Sequence, residues 1–360
     1  MYGKTSAFTI HQTNPFNGGP QPRDLGREAI TPNDLFYVRG HGPVPALTPE
    51  DCTVVVDGRV SHPLTLRLSD LQRGFPAKTV EATLQCAGNR RAELHSVMSM
   101  QPGALLWQTE AISSAAWTGV SLADVLTRVG VQDGAAHVAF LGADHGAAPD
   151  GGSFGGSIPL SKAQSSEVLL AWAMNGEPLP PIHGGPLRVV VPGYYAARSV
   201  KWLTHITVQD APSDNHFQSH DYKVFPPDVT ADTVDWDAGE MLNEQRTHAA
   251  LLSPADGDTV GAGKVTLEGY AMAGGDSQIT SVEISLDGGG SWRAADLTTA
   301  PRPWVWTLWR AEVELSAGEH TLIVRASDSA GSAQPPTVDE IWNFRGYQNF
   351  AWHRVTIIAS

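Results

Sequence analysis

An α+β fold, in which a mixed domain of strands and short helices is followed by an immunoglobulin-like β-sandwich, is predicted by three observations on this 360-residue chain. The chain is rich in turn formers, with 36 Gly and 25 Pro against only 7 Tyr and 10 Phe, which favours short strands and loops over a helical bundle. Up to about residue 245, short apolar runs mix with helical stretches. In "SLADVLTRVG" (121–130), Leu122, Val125, Leu126 and Val129 fall on one helical stripe. From about 250 the texture changes. The runs "KVTLEGYAM" (264–272), "ITSVEISLDGGGSW" (279–292), "PWVWTLWRAEVEL" (303–315) and "EHTLIVRASDSAGS" (319–332) alternate apolar and polar residues between Gly, Asp and Ser turns. That spacing predicts an antiparallel sandwich. The expected domains are 1–245 and 246–360, with "QDAPSDNHFQSHDYKVFPPDV" (209–229) as a long polar connector just before the boundary.

Composition excludes several classes of function. A formal net charge of −14 argues against general nucleic-acid binding, whose affinity comes from clustered Lys and Arg, so any anion site must be local. No apolar run approaches the roughly 20 residues that span a bilayer, and no membrane association is expected. Only Cys52 and Cys86 are present, too few for a four-cysteine iron–sulfur site, and there is no haem-attachment motif. The first residues carry no basic region followed by an apolar stretch. The expectation is therefore a cytoplasmic protein, or a periplasmic one if a twin-arginine leader has been trimmed.

Three short motifs carry chemical meaning. "GGSFG" (151–155) fits the G-x-S-x-G elbow of serine hydrolases, with Ser153 as nucleophile, but "HGAAPD" precedes it and Pro159 follows where a helix should begin. "GDTVGAGK" (257–264) misplaces the first glycine of a phosphate loop and has Val265 in place of the magnesium-binding hydroxyl, so it reads as a turn. The third is "TLQCAGNRR" (83–91). Along "KTVEATLQC", Val80, Ala82, Leu84 and Cys86 share one strand face, which points the cysteine inward, while Gly88 permits a close turn and Arg90 and Arg91 follow at once. An isolated inward cysteine is ordinarily a core residue. A thiolate that ligates a soft metal needs its charge offset, and two adjacent arginines provide for that.

"LQCAGNRR" resembles the molybdenum-ligand signature of the sulfite oxidase family and its assimilatory nitrate reductase relatives. "LFYVRGHGPVP" (35–45), "AISSAAWTGVSL" (111–122), "LLAWAMNGEPLPPIHGGPLRVVVPGYYAARSVKWL" (169–203) and "IWNFRGYQNFAWHRV" (341–355) recur in the family's order, so the resemblance covers nearly the whole chain. It implies Cys86 as the ligand of molybdenum carried by molybdopterin, a pyranopterin dithiolene. The implied cofactor-binding positions are Tyr37, Arg39, His41, Cys86, Asp144, His183, Arg188, Arg198, Ser199, Val200 and Lys201. Of these, His183, Arg188, Arg198, Ser199 and Lys201 are donors suited to a buried phosphate. Asp144 would accept from pterin nitrogens. The resemblance also implies oxidation of sulfite to sulfate by oxygen-atom transfer, with Arg39, Arg91 and Arg345 around the anion, Trp107 lining the pocket and Phe154 beside the reacting centre. No haem or flavin signature is visible, so electrons would pass to a separate acceptor, a cytochrome or oxygen. The implied assembly is a homodimer through the C-terminal domain, with Trp304, Trp306 and Trp309 as its apolar motive.

Ser199 and Arg345 follow the sulfite oxidase pattern, where nitrate reductases tend to have methionine; reduction of nitrate or another small oxyanion is the alternative. The chain departs from the family at Gly40, usually asparagine, and at Phe154, usually tyrosine. Tyr194 or Tyr195 of "PGYYAARS" is the candidate replacement for the missing hydroxyl.

Overall fold

The strand runs of the N-terminal half build two sheets in the computed structural model, which describes residues 2–100 and 103–360. The first pairs Ala77–Gln85 with Ile112–Ser121, which pairs with Leu169–Met174; Glu177–Pro178 and Arg188–Val190 complete it on the far side. The second runs Leu64–Arg67, Thr53–Gly58, Leu203–Gln209, His137–Gly142, Gly155–Pro159. All of these pairings are antiparallel except that of Leu203–Gln209 with Thr53–Gly58. The helical stripe folds as expected: Leu122–Val129 is a helix that buries Leu122, Val125, Leu126 and Val129 and ends at Gly130, whose φ of 68° suits glycine. At full burial such side chains contribute roughly 1.5–3 kcal/mol each.

One glycine in the first sheet is required by packing. At the bulge beside Gly119, a Cβ would lie 2.7 Å from Ala171 Cα and collide with the Leu170 carbonyl. Gly119→Ala is expected to cost about 3 kcal/mol, read in a thermal melt as a Tm lower by about 6–12 °C. An unchanged melt would mean that the two strands can part without loss.

The C-terminal alternating runs form the expected sandwich. One sheet is ordered His248–Ser253, Gly263–Met272, Thr307–Leu315, Asp296–Leu297, and the other Thr259–Val260, His353–Ala359, Gly318–Asp328, Ile279–Ser285, Arg293–Ala294. Their inner faces close over Leu267, Val282, Ile284, Trp309, Val324 and Ile357. The tryptophan run does not face outward. Trp306 and Trp309 are each 1% exposed, and Trp306 Nε1 donates to the Ala29 carbonyl at 2.8 Å. The Trp306 backbone N–H also donates to Thr83 Oγ1 at 2.9 Å, so this aromatic segment fastens the sandwich to the N-terminal sheet. The apolar motive for dimerisation read from Trp306 and Trp309 is spent within the chain, whereas Trp304 stays half-buried with its Nε1 donating to Asp276 Oδ1 at 2.9 Å.

The same docking accounts for one of the two arginines that follow Cys86. Arg90 is fully buried, pairs with both carboxylate oxygens of Glu93 at 2.7 and 2.6 Å, and donates to the Ala351 carbonyl at 3.0 Å. Asn89 Nδ2 donates to Tyr270 Oη at 2.9 Å. Arg90 is therefore a tie to the sandwich, while its neighbour Arg91 turns the other way.

Candidate active site

Cys86 directly follows the strand Ala77–Gln85 and is 5% exposed, so the period-two pattern places its thiol inward as expected. Its Sγ accepts from the Gly88 N–H at 3.4 Å. A Cβ on Gly88 would stand 2.6 Å from Arg91 Cζ; the bare backbone lets the guanidinium lie across this turn. Arg91 is held there by Nε to the Gly346 carbonyl at 2.9 Å and Nη1 to the Leu105 carbonyl at 3.0 Å.

Two cavities open from Cys86. The first is lined by Tyr37, Arg39, His41, Asp144, Phe154, His183, Arg188, Ser199 and Lys201 among others. Stretches far apart in sequence supply it: 36–41, the end of the strand His137–Gly142, and the turns 182–188 and 196–201 between Leu169–Met174 and Leu203–Gln209. Arg188 is clamped by carbonyls, Nη1 to His183 at 2.8 Å and Nη2 to Ser199 at 2.9 Å. Lys201 Nζ reaches the Arg39 carbonyl at 3.2 Å, and Asp144 Oδ1 accepts from the Phe154 N–H at 3.1 Å.

The electrostatics of this cavity favour an anionic occupant. Burial, reinforced by Arg188, lowers Lys201 to about 7, while burial raises Asp144 to about 6 against the pull of Lys201. Burial lowers Arg188 to about 10. His41 and His183 are pushed well below the usual histidine range by burial and then by the surrounding cations, so both rings are neutral near pH 7. The cations outnumber the one carboxylate, Asp144. Beside the cavity wall, Arg198 is fully buried with Nη1 and Nη2 unpartnered. Such a surplus of buried donors suits a phosphate-bearing ligand, and the Cys86 thiol in the cavity wall suits a soft metal. The residues present fit molybdopterin.

The second cavity is lined by Arg39, Arg91 and Arg345 together with Cys86, Asp221, Tyr222 and Tyr347. The three arginines expected to surround an anion thus line one space. Arg345 pairs with Asp221 and lies 3.4 Å from Tyr347 Oη. Cys86, Arg39 and Tyr222 belong to both cavities.

Other expected positions fall elsewhere. Trp107 has no exposed surface and packs among Leu84, Ala115 and Trp117 with His11 edge-on at 4.6 Å; it lines neither cavity. Val200 is a core residue whose carbonyl accepts from Val189. Tyr194 and Tyr195 do not replace the missing hydroxyl: both pack in the N-terminal core, where Tyr195 Oη accepts from the Arg246 N–H at 3.4 Å and the Tyr194 ring lies under Lys162 Nζ. The Gly193 turn sets the pair against 243–246, where the Tyr195 N–H donates to the Asn243 carbonyl at 2.9 Å. Ser153 Oγ lies 3.0 Å from His145 Nδ1, but a strand, Gly155–Pro159, follows where a nucleophile elbow needs a helix.

Sequence reasoning missed Asp221, Tyr222 and Tyr347. The first two sit at the end of a one-turn π-helix, Phe217–Asp221, inside the segment read as a connector. An acid and a tyrosine within this 21-residue segment carry no periodic signal that would single them out.

Comparison with known proteins gives the family. The family model for the oxidoreductase molybdopterin-binding domain matches residues 41–217, and that for the Mo-co oxidoreductase dimerisation domain matches 240–360. The chain is 44% identical to the mitochondrial sulfite oxidase of Homo sapiens, over 98% of this chain and 66% of that protein. It is 40% identical to the sulfite oxidase of Arabidopsis thaliana, over 98% of this chain and 94% of that one. The chain spans just under two thirds of the length of the mammalian relatives it matches. Among solved structures, the sulfane dehydrogenase SoxCD from Paracoccus pantotrophus superposes with a TM-score of 0.83 at 25% identity, over 98% of this chain and 86% of that one.

Proposed function

The chain belongs to the sulfite oxidase family of molybdopterin oxidoreductases, and on that premise we propose that it oxidises sulfite to sulfate and passes the electrons to a separate acceptor, a cytochrome or oxygen. The observation that carries this reading is the junction at Cys86 of a donor-rich cavity with a second cavity bearing three arginines. When bound, molybdenum on its pyranopterin supplies the oxygen-atom transfer that the side chains cannot perform.

The protein's own part divides between the cavities. In the first, Arg188, Ser199 and Lys201 hold the phosphate end, with Arg198 adding charge from behind the wall, and Asp144 accepts from the ring nitrogens. Cys86 Sγ is the metal ligand. In the second, Arg39, Arg91 and Arg345 draw a small dianion out of solvent despite the acidic surface, because a local field outweighs distant screened charge. Neutral His41 adds no charge to the first cavity but keeps a ring N–H to donate.

The test is metal and pterin analysis of the purified protein, followed by sulfite-dependent reduction of a dye acceptor. Stoichiometric molybdenum with sulfite turnover is expected; a metal-free protein, or one that reduces nitrate in preference, overturns the reading. Labelling of Ser153 by a fluorophosphonate would point instead to hydrolysis. We further infer a homodimer through residues 240–360, the stretch matched by the dimerisation-domain model. Light scattering at micromolar concentration should give twice the chain mass, and a monomer would refute it.

A further inference from the structure

The one-turn π-helix Phe217–Asp221 and the residue before it carry two histidines, His216 and His220, that line neither cavity. The turn closes through the Tyr222 N–H, which donates to the Phe217 carbonyl five residues back at 3.1 Å. In that winding the residues four and five beyond His216 come round to its side, so His216, His220 and Asp221 are neighbours. One donor atom from each, two imidazole nitrogens and a carboxylate oxygen, lies within 4.8 Å of the other two. His216 Nε2 stands 3.9 Å from Asp221 Oδ1, too far for a hydrogen bond and near enough for both to reach one ion. The two imidazoles stack with centroids 4.9 Å apart.

Two further observations set this cluster apart from an ordinary polar surface. His220 Nδ1 is buried without a hydrogen-bond partner, which costs stability unless something else satisfies it. The Trp236 ring backs His220 at a centroid distance of 3.5 Å and also lies 5.7 Å from the Arg345 guanidinium, so the cluster is braced against the wall of the second cavity.

We propose that His216, His220 and Asp221 bind one zinc ion, and that the ion tightens anion binding in the second cavity by drawing the Asp221 carboxylate from Arg345. Two imidazoles and a carboxylate are a zinc donor set, whereas calcium and magnesium take oxygen ligands. Zinc bonds of about 2.0–2.1 Å at tetrahedral angles bring donor atoms to about 3.3 Å from one another. The His216 and Asp221 side chains are 27% and 24% exposed, which leaves them room for the rotation of about 1.5 Å that closes the set. Water fills the fourth position. The oxygen nearest His216, Asp221 Oδ1, is also the one to which Arg345 Nη2 donates. A metal on that oxygen frees the guanidinium for the anion and adds positive charge beside it, and both effects favour a dianion. The metal site rests on geometry alone, whereas its bearing on turnover rests on the sulfite reading.

The experiment titrates zinc chloride by calorimetry into the holoenzyme, first cleared of loose metal with a chelator and desalted, and into His216→Ala and His220→Gln. Sulfate is then titrated with and without zinc, and kcat/KM for sulfite is measured with a dye acceptor under both conditions. The parent should bind one zinc per chain. Each variant should bind it more weakly by at least the 10- to 100-fold that even an outer-shell partner of a metal commands. Zinc should tighten sulfate about tenfold, and by linkage sulfate should tighten zinc by the same factor. In the parent kcat/KM should rise with zinc, and in His220→Gln it should not respond. A parent that binds no zinc, or a variant that binds it as tightly as the parent, would overturn the site. A sulfate Kd unchanged by bound zinc would overturn the coupling through Asp221 and Arg345. If zinc binds and tightens sulfate while the parent oxidises no sulfite, the functional reading fails and the metal site stands.

Discussion

Cys86→Ser should abolish sulfite oxidation while leaving the chain folded. A serine hydroxyl is harder and more basic than a thiolate and is a poor ligand for a soft metal at neutral pH. The loss should reach about a thousandfold or more in kcat, equivalent to about 4 kcal/mol of barrier. The fold should tolerate the change, because the new hydroxyl would replace a thiol of similar shape and would accept from the same Gly88 N–H that Sγ now meets. With that partner available, the cost stays near the lower end of the roughly 1–3 kcal/mol for an unsatisfied buried polar group. Pterin should remain bound, since the residues proposed to hold its phosphate, Arg188, Ser199 and Lys201, belong to other segments. Cys52→Ser is the control. Cys52 is buried, and burial alone raises its thiol to about 11, so it is a core residue with no anionic form to lose. It should lose some stability and no activity. Normal turnover by Cys86→Ser with a dye acceptor would sink the assignment of the metal ligand.

The inward aim of Cys86 was legible in the sequence because it sat in a readable local pattern. Strand alternation aimed Cys86 inward, and Gly88 with Arg91 supplied the close turn and the charge. The helix Leu122–Val129 was legible for a similar reason, its apolar stripe being complete within eight residues. What one strand cannot reveal is what covers its second face. Trp306 read as a surface aromatic, yet it is buried because Thr83 and Ala29, more than 220 residues away, present the groups that satisfy its two N–H donors. Trp107 likewise looked like a pocket wall, but tertiary packing made it core.

Asp221 and Tyr222 were hidden for a different reason. Their approach to Cys86 depends on how the polar segment around Phe217 docks on the second sheet. Asn215 Nδ2 donates to the Ser153 carbonyl at 3.1 Å, and Gln218 Oε1 accepts from the Ser157 N–H. These are single hydrogen bonds from polar side chains, with no periodicity to announce them. The docked turn sends Asp221 to Arg345 and Tyr222 to His41, which converts an apparent connector into part of the wall of the anion cavity.

Arg345→Met should be the most damaging of the three arginine substitutions, because it would change two charges at the anion rather than one. Arg39 leans on neutral partners, the Asn17 side chain and the Gly40 carbonyl, and Arg91 on the Gly346 and Leu105 carbonyls. Removing either cation forfeits a charge-assisted hydrogen bond of about 1.5–3 kcal/mol, or about 10- to 100-fold in kcat/KM. Arg345 alone is paired with a carboxylate, that of Asp221, which also lines the anion cavity. Its loss would leave that carboxylate uncompensated beside the substrate. At about 8 Å and an effective dielectric of about 20, one unit charge repels another by about 2 kcal/mol. Added to the lost hydrogen bond, the total is about 3.5–5 kcal/mol, roughly a thousandfold in kcat/KM. The double variant Arg345→Met/Asp221→Asn should recover about 10- to 30-fold of that loss, since the repulsion is removed and the lost hydrogen bond is not. Steady-state kinetics at low and high ionic strength provide the readout, with the recovery shrinking as salt screens the exposed part of the pair. If the double variant is no better than Arg345→Met, then Asp221 exerts no field on the anion and the pair serves only to place the turn at Phe217–Asp221.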